Sequence, residues 1–361
     1  MTEDRLPRDD DPSTAGWDAI DAHLSRFYPG QTPLHTTSRL PSFAGGGLIE
    51  GISAYRAVDP VPHWHFVTYG FSELYAKETA DAEISGFGFE LTFRLAPLRE
   101  GEPSSSWASN FLQNLGAYVG RTGNGFGVHH AMDLQGPIAL GQATDVKAIA
   151  FGEDPQLGII ATPNGRVRFL QIVGLTLDEC EACDAWDTAG MLEVLRGVDP
   201  RLLTWLDRKS ILELPEIAAV VAERTAAQGS SRGMLYVGSA AWRQQKVSSD
   251  ASIEVELGAN GVQSLKRVLP GRIPHGRQLA IVCNDVTIVF EPNEAAGSRI
   301  EKRNGQSWLV VQVPRGLGAA LANTLMPKAG IYTLPELSGI RFKITKSEIR
   351  DPQGNVVKTI G

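Results

Sequence analysis

Two strand-like runs separated by a short polar segment lie between Pro62 and Leu95. In the second run, large apolar side chains alternate with small or polar ones, and successive side chains of a strand point to opposite faces of a sheet. One face would carry Phe87, Phe89, Leu91, Phe93 and Leu95, and the other would carry Gly88, Glu90, Thr92 and Arg94. We therefore predict a strand with one face on a hydrophobic core. Glu90 and Arg94 would form an exposed pair on the other face, and such a pair contributes at most about 1 kcal/mol.

The rest of the chain alternates helix and strand signals. The run 63–69 is rich in aromatic and β-branched residues and stops at Gly70, which predicts a second strand. The short polar segment Ser72–Ala82 is predicted to be a helical turn or a loop beside the sheet. Apolar residues at helical spacing predict helices from Trp17, from Trp107, over 184–195, over 202–206 and over 317–325, and the pattern at 211–226 favours a strand followed by a helix. Strands are predicted at 48–56, 157–161, 167–175, 253–257, 279–283, 286–290, 308–313 and 340–349.

The length of 361 residues exceeds what one hydrophobic core usually serves, so we predict two domains. Residues 228–233 are small and polar and form the best candidate linker. The prediction is a flexible tail at 1–15, a first domain at 16–227, the linker, and a second domain at 234–361. Both domains belong to the α+β class, each with a mixed, mainly antiparallel sheet and packed helices.

Charge and composition exclude several function classes. The formal net charge is −7, which argues against a nucleic-acid surface because phosphate binding depends on clustered Lys and Arg. The first residues lack a secretory signal and no apolar run is long enough to span a bilayer, so we expect a cytoplasmic protein that does not bind membranes. Three cysteines give no disulfide framework. We expect a monomer.

Four stretches resemble a known family. HWHFVTYGFSELY at 63–75 and SGFGFELTFRL at 85–95 are similar to the central motif of the Suppressor of fused family, whose animal members bind Gli-type transcription factors. FLQIVG at 169–174 and VLPGRIPHGRQLAI at 268–281 resemble two further motifs of that family. The resemblance implies a two-domain protein that binds another protein, is not an enzyme and uses no cofactor.

The resemblance also implies partner-binding residues. Animal relatives hold a short extended peptide between their two domains as an added strand, so that main-chain hydrogen bonds supply affinity. Tyr75 matches the family's tyrosine in the peptide groove. The family's acidic residue that receives a histidine of the peptide aligns with Ala82, so either of its neighbours, Asp81 or Glu83, could take that role. The strand edge that pairs with the peptide corresponds to Leu235, Tyr236, Val237, Gly238 and Ser239. A charged turn with Arg272, His275 and Arg277 is a possible secondary site for an acidic partner.

Two groups of residues leave a chemical alternative open. His63 and His65 share a strand face and could bind a metal together with His129 or His130, or they could be partly buried rings bonded to backbone carbonyls. Cys180 and Cys183 have the spacing of a redox pair or half a zinc site, or they could be surface cysteines without a function. Nucleophile-elbow, P-loop and dinucleotide-binding motifs are missing from the sequence. We therefore predict no metal and no catalytic residue.

The function that these observations favour is sequestration of a partner protein. Alanine and glycine are abundant, and the long insertion of the animal relatives is mostly missing. Both features favour a bacterial origin of the protein. Bacterial proteins resembling this family are proposed to be immunity proteins that neutralise a cognate toxin. The alternatives are a regulator that binds an extended segment of a transcription factor, and a metal-dependent hydrolase that uses His63, His65 and His129.

Overall fold

The structure is a computed structural model in which residues 13–37, 47–97, 106–247, 250–303, 305–350 and 355–361 are described. Of the predicted tail at 1–15, residues 1–12 lie outside the described residues. The chain divides into two compact units. The first comprises the described residues of Met1–Cys180 and Leu192–Glu213, and the second those of Glu181–Met191 and Leu214–Gly361.

A mixed sheet of eight strands forms the first unit, counted over its described residues. The strands are β1 Leu34–Thr37, β2 Gly51–Ala57, β3 His63–Tyr69, β4 Ile84–Leu95, β5 Ala131–Asp133, β6 Val146–Glu153, β7 Ile159–Thr162 and β8 Gly165–Thr176. Their order is β1-β2-β3-β4-β8-β6-β5, and β7 forms a hairpin with β8. Of these pairings, β4–β8 is parallel and the others are antiparallel.

Both faces of this sheet are covered. Helix α2, Ser106–Thr122, packs its buried residues, among them Leu112 and Val119, on the face that carries Leu91 and Phe93. Helix α1, Ala15–Leu24, packs on the opposite face against Val67, Tyr69 and Phe169. The first unit is therefore a three-layer structure in which β4 is buried on both sides.

The second unit contains two main sheets around one core. The strands are β9 Met234–Tyr236, β10 Ala240–Val247, β11 Asp250–Gly258, β12 Leu279–Cys283, β13 Val286–Asn293, β14 Gly297–Arg303, β15 Gln306–Pro314, β16 Gly330–Tyr332, β17 Ile340–Thr345, β18 Ser347–Arg350 and β19 Val356–Ile360. One sheet has the order β14-β15-β13-β12-β9, the other has the order β10-β11-β17-β16, and β18 and β19 form a separate hairpin. Residues from both main sheets join α6, Ala259–Val268, and α7, Gly318–Thr324, in one hydrophobic core.

The predicted fold class is confirmed, but several elements differ. The predicted helix at 184–195 is two helices, α3 Leu177–Ala185 and α4 Thr188–Val198. The predicted strand after residue 211 is a 3-10 turn, Ile211–Glu213, followed by α5, Pro215–Gln228. The predicted strand at 340–349 is divided into β17 and β18.

The helix predicted at 202–206 is wrong. Leu202 has a positive φ of 53°, and the segment is not helical. The Thr204 N–H donates to the carbonyl of Arg94, and its carbonyl accepts from Ala96, so Thr204 extends the pairing at the end of β4. Its spaced leucines are buried because the segment covers the end of the sheet. Leucines spaced in this way occur both in a helix with one buried face and in an irregular segment that is buried, so the sequence pattern could not distinguish the two.

The segment predicted as a linker, 228–233, makes specific contacts inside the second unit. The side chain of Ser230 is fully buried, and its hydroxyl donates to the carbonyl of Asp184 at 2.6 Å. Its N–H donates to the carbonyl of Gly271, and the N–H of Ser231 donates to the carbonyl of Trp186. Gln228 accepts a hydrogen bond from the indole of Trp186 at 2.7 Å.

Within the described part of the chain, no helix combines the length and the apolarity needed to cross a membrane.

Candidate partner-binding site

Strand β9 is the end strand of the five-stranded sheet in the second unit. It pairs in parallel with β12, and Leu235 lies opposite Ile281. The carbonyl of Gly233 accepts from the N–H of Ala280, and the N–H of Val237 donates to the carbonyl of Val282, both at 3.0 Å. Odd-numbered residues of β9 therefore direct their main-chain groups towards β12. The main-chain groups of Met234 and Tyr236 point to the outer side, because these groups alternate along a strand.

The side chains of β9 follow the same alternation. Leu235 is buried in the core of the second unit, whereas Tyr236 is 81% exposed and Met234 is 43% exposed. Val237 is half-buried against that core. Gly238 and Ser239 are exposed and follow the strand. An edge strand with an exposed aromatic ring is a surface on which an extended peptide can add a further strand.

Tyr75 lies in the loop that follows β3 and is half-buried against the α1 side of the sheet. Its hydroxyl donates to a carboxylate oxygen of Glu50. Burial and the neighbouring Glu50 carboxylate raise the pKa of Tyr75 to about 12. One side of the ring packs on the first unit, and the hydroxyl already has a protein acceptor. Tyr75 can therefore offer a partner the exposed part of its ring.

Asp81 and Glu83 lie farther along the same loop, and both are exposed. The Asp81 carboxylate accepts from the N–H of Glu83 at 2.9 Å. Glu83 also lies 3.9 Å from the guanidinium of Arg166, a contact between two exposed side chains that is worth little. Both carboxylates are accessible to a cationic group of a partner.

Glu73 holds this loop in one conformation. Its carboxylate accepts from the N–H groups of Glu78 and Thr79, at 2.7 and 2.5 Å, and pairs with Lys77 at 2.8 Å. Burial alone would raise its pKa, but Lys77 and the backbone N–H groups lower the pKa of Glu73 to about 2. The side chain of Asn164 adds a hydrogen bond to the carbonyl of Tyr75 at 3.3 Å. The loop that carries Tyr75, Asp81 and Glu83 is thus braced from inside the first unit.

The prediction of an exposed Glu90–Arg94 pair is wrong. Both side chains are buried, because α1 and its neighbours cover the face that was expected to meet solvent. Arg94 pairs instead with Asp154, at 3.1 Å, and donates to Gln156 at 2.9 Å. Conversely, Phe87, expected on the core face, is 40% exposed.

His65 completes a buried polar layer around Asp154. One ring nitrogen, Nε2, lies 3.1 Å from Asp154 Oδ2, and the other, Nδ1, lies 2.6 Å from the hydroxyl of Tyr28. Burial, together with the nearby Arg94 charge, lowers the pKa of His65 to about 4. Burial alone would raise the pKa of Asp154, but His65 and Arg94 hold it well below its usual range. We assign a neutral His65 that donates to Asp154 and accepts from Tyr28, with Arg94 supplying the counter-charge.

Glu90 occupies a separate buried position on the same strand. Its carboxylate accepts hydrogen bonds from the N–H groups of Gly70 and Ser72 and from the hydroxyls of Thr68 and Ser72. Complete burial raises the pKa of Glu90 to about 7 although these donors lower it. The interior of the first unit therefore contains a carboxyl group that titrates near neutrality.

The four histidines considered as metal ligands are divided between the interior and the surface. His63 donates to the carbonyl of Val61 at 2.8 Å and accepts from Arg94 at 3.2 Å, so both of its ring nitrogens, like those of His65, contact protein groups. His129 and His130 are exposed. Over the described residues, no group of three or more His, Cys, Asp or Glu side chains is arranged to hold a metal ion.

Cys180 and Cys183 are not surface cysteines. Both lie in α3 and are buried, at 6% and 1% exposure. The expectation of surface cysteines was wrong because the spacing of two cysteines does not show which side of a helix is covered.

Two residues of the charged turn that was predicted as a secondary site have a structural role. Arg272 donates to the carbonyls of Ser230 and Gln278, and Arg277 also donates to Ser230. Burial, with the nearby charge of Arg277, lowers the pKa of Arg272. Arg277 is exposed and His275 is half-buried. Arg277 is therefore the residue of this turn most accessible to an acidic group.

Comparisons with known proteins relate the chain to one family. The family model described as Suppressor of fused protein (SUFU) matches residues 48–209. A human protein described as Suppressor of fused homolog is 34% identical over 203 residues, which cover 53% of this chain and 42% of the human protein. The chain thus spans less than half the length of that relative.

Two solved structures are similar to this one. The crystal structure of Drosophila Suppressor of Fused covers 92% of this chain and 97% of its own, with a TM-score of 0.73 and 24% identity, and it establishes the shared two-domain fold. A chain described as part of "the Sufu-Fu complex crystal structure" is 33% identical, has a TM-score of 0.53, and covers 58% of this chain and 97% of its own.

Proposed function

Since the chain belongs to the Suppressor of fused family, we propose that it is a non-enzymatic binding protein that holds an extended segment of a partner protein along β9. The observation that carries this proposal is the outer edge of β9. Its outward main-chain groups at Met234 and Tyr236 can pair with another strand, and the exposed ring of Tyr236 can cover a partner side chain. A related structure described as a Sufu–Fu complex is in keeping with a protein partner.

We assign the first unit its own set of contacts with the partner. Tyr75 would supply an aromatic surface, and Asp81 or Glu83 would pair with a cationic side chain. The bracing by Glu73 favours binding, because a loop that is already ordered loses little conformational entropy when a partner docks. Arg277, with its neighbours Arg272 and His275, remains a possible contact for an acidic group of the partner.

The finer proposal is that the partner is a toxin and that the protein acts as its immunity protein. The net charge of −7 suits a basic partner, such as a nuclease toxin, because opposite charges accelerate association. A regulator that captures an extended segment of a transcription factor is the second candidate, and the edge strand fits that role equally well. We expect a monomer that binds the partner in the cytoplasm, without a cofactor.

A pair of substitutions at Tyr236 tests the edge-strand proposal. Tyr236→Pro removes the outward N–H and leaves the pairing of β9 with β12, because Pro is tolerated on an edge strand where its nitrogen faces outward. Tyr236→Ala keeps that N–H and removes only the ring. Tagged wild-type and variant proteins would be used as baits in a lysate of the source organism, with mass spectrometry. The affinity of each captured partner would then be measured with purified proteins.

We expect Tyr236→Pro to weaken binding at least about tenfold, since a lost hydrogen bond costs about 1 kcal/mol net and the ring of Pro blocks the approach of a strand. Tyr236→Ala should have a smaller effect. Equal affinity of Tyr236→Pro and wild type would rule out strand addition at β9. If the protein is an immunity protein, its co-expression should restore the growth of cells that express a toxin from an adjacent reading frame. Identification of a transcription factor as the captured partner would favour the regulator instead.

A further inference from the structure

The first unit contains an open pocket of about 520 Å³ on the α1 side of its sheet. Helix α1, the turn that follows it, β1 and β2 supply the walls. Aromatic side chains of Trp17, Tyr28, His35 and Tyr55 and polar side chains of Asp21, Gln31 and Ser53 line the pocket. Pockets that bind small molecules have volumes of roughly 300 to 1,000 Å³, so this pocket can accommodate an organic ligand.

Aromatic rings form much of its wall, and their neighbours hold them in place. Tyr28 and Tyr55 are stacked, with ring centroids 4.4 Å apart. Trp17 stacks on Tyr69 at 4.6 Å, and His35 meets the edge of Trp17 at 5.7 Å. The π faces of Trp and Tyr carry partial negative charge and attract cations.

Among the described residues that line the pocket, Asp21 is the one charged side chain, and it is negative. The carboxylate of Asp21 accepts a hydrogen bond from Tyr69 at 2.7 Å. Neither lysine nor arginine is found among the described residues that line the pocket. Burial lowers the pKa of His35, although Asp21 raises it, so this imidazole is uncharged at neutral pH.

Gln31, Tyr28 and His35 of the wall have hydrogen-bond partners in the protein. Gln31 both donates to the carbonyl of Arg56 and accepts from its N–H, at 3.1 and 2.6 Å. The hydroxyl of Tyr28 contacts His65, and His35 Nδ1 lies 2.8 Å from the hydroxyl of Ser53. Recognition by the pocket therefore depends mainly on aromatic faces and on the negative charge of Asp21.

We propose that this pocket binds an alkylated ammonium group, with its methyl groups against the aromatic rings and its positive charge near Asp21. An anion would be repelled by both features. A guanidinium group forms up to five hydrogen bonds and needs several acceptors, whereas the pocket offers one carboxylate that already accepts from Tyr69. A quaternary ammonium donates no hydrogen bond, and aromatic walls favour it. The group could belong to a free small molecule or to a methylated lysine side chain.

Two probes of the same shape test the proposal in the intact protein. Choline carries the positive charge, and 3,3-dimethylbutan-1-ol replaces its nitrogen by carbon and is neutral. Binding would be measured by calorimetry and by NMR shifts of the Trp17 indole. Choline should bind with a Kd in the millimolar range or below, and at least about tenfold more tightly than the alcohol. Equal affinities for the two probes, or no choline binding at about 10 mM, would overturn the proposal.

A charge variant with a matched control locates the site. Asp21→Asn keeps an acceptor for Tyr69 and removes the charge, whereas Asp18→Asn removes the same charge from the same helix outside the pocket lining. Asp21→Asn should weaken choline binding about fivefold, and Asp18→Asn should leave it unchanged. Equal effects of the two variants would contradict the assignment. Tighter binding of a trimethyllysine peptide than of choline would identify a protein ligand, and the reverse order would identify a small molecule.

Discussion

Replacement of Glu90 by Gln should make the protein more stable relative to wild type as the pH rises. The pKa of Glu90 is raised from 4.5 to about 7 by burial in the folded protein, a difference of about 2.5 pH units. Since one pH unit corresponds to about 1.4 kcal/mol, the folded state loses about 3 kcal/mol relative to the unfolded state as the pH rises through this range. The sign follows because the folded protein binds more protons than the unfolded chain between pH 4.5 and 7.

The hydrogen-bond pattern around Glu90 allows the protonated form and its amide analogue. Thr68 Oγ1 lies 2.7 Å from Glu90 Oε2 and 3.4 Å from the carbonyl of Leu91. A protonated Oε2 can donate to Thr68, which then donates to Leu91. The side-chain N–H of a glutamine can make the same donation, while its oxygen accepts from Gly70 and Ser72. Glu90→Gln therefore mimics the protonated state at every pH.

The assay is urea unfolding of wild type and Glu90→Gln between pH 4 and 8, with free energies from the midpoint and slope. The stability of the variant relative to wild type should rise by about 3 kcal/mol from pH 4.5 to pH 8. Glu83→Gln, at an exposed carboxylate of the same unit, should show no such rise. A relative stability of Glu90→Gln that stays constant or falls with pH would refute the reasoning. It would mean that the four donors keep Glu90 ionised.

His65 has the opposite effect in an overlapping range. Its pKa is lowered from 6.5 to about 4, so the unfolded chain binds more protons than the folded protein in that range. This histidine therefore contributes about 3 kcal/mol that is present above pH 6.5 and is lost as the pH falls to 4. In wild type the two effects partly cancel between pH 4.5 and 6.5. Glu90→Gln should expose the effect of His65 as a steeper rise of stability with pH.

Two further substitutions test the packing of the first unit by the same urea assay. Arg94→Met should lower the free energy of unfolding by about 3 to 5 kcal/mol, because it leaves Asp154 buried without its cation. The double variant with Asp154→Leu should recover part of that loss, and an unchanged stability of Arg94→Met would contradict the buried pair. Gly70→Ala should cost at least about 2 kcal/mol more than Gly123→Ala. Both glycines have positive φ, but an added Cβ lies 2.1 Å from the carbonyl oxygen of Leu48 only at Gly70, so equal costs would contradict this account.

The strands and helices of the first unit could be predicted wherever local pattern and burial agree. Strand β3 has the predicted bounds because its aromatic and β-branched residues suit a buried strand, and α2 begins next to the predicted Trp107 because one of its faces meets a hydrophobic core. The hairpin of β7 and β8 turns at Pro163 and Asn164, where turn-forming residues separate two apolar runs. In the second unit, β12 also has the predicted bounds.

The polar layer could not be predicted because alternation shows which residues share a face but not what covers that face. Alternating polar residues usually indicate a solvated face. In β4 they are buried, and their partners come from distant parts of the chain: Asp154 for Arg94, and the end of β3 for Glu90. Asp154 and Tyr28 were missed for the same reason. The sequence did contain one signal of a buried polar layer, namely an arginine and a glutamate in a strand that is otherwise largely apolar.

The candidate partner-binding residues differ in how far the sequence could define them. The resemblance placed a strand edge at 235–239, and the structure has β9 at Met234–Tyr236 at the end of its sheet. The outward direction of Tyr236 follows only from the hydrogen bonds of its neighbours with β12. Sequence position alone could not show that Tyr75 bonds to Glu50, because these residues lie on different segments of the first unit.

The two stretches of the central motif, 63–75 and 85–95, are largely buried. Strands β3 and β4 have few exposed side chains, since α1 and α2 cover both faces of their sheet. These residues determine the fold and its buried polar layer more directly than they determine a partner. We therefore expect the choice of partner to depend on exposed positions such as Tyr236 and Asp81, where substitutions cost little stability. We expect two proteins of this family to share the central motif and the fold even where their partners are unrelated.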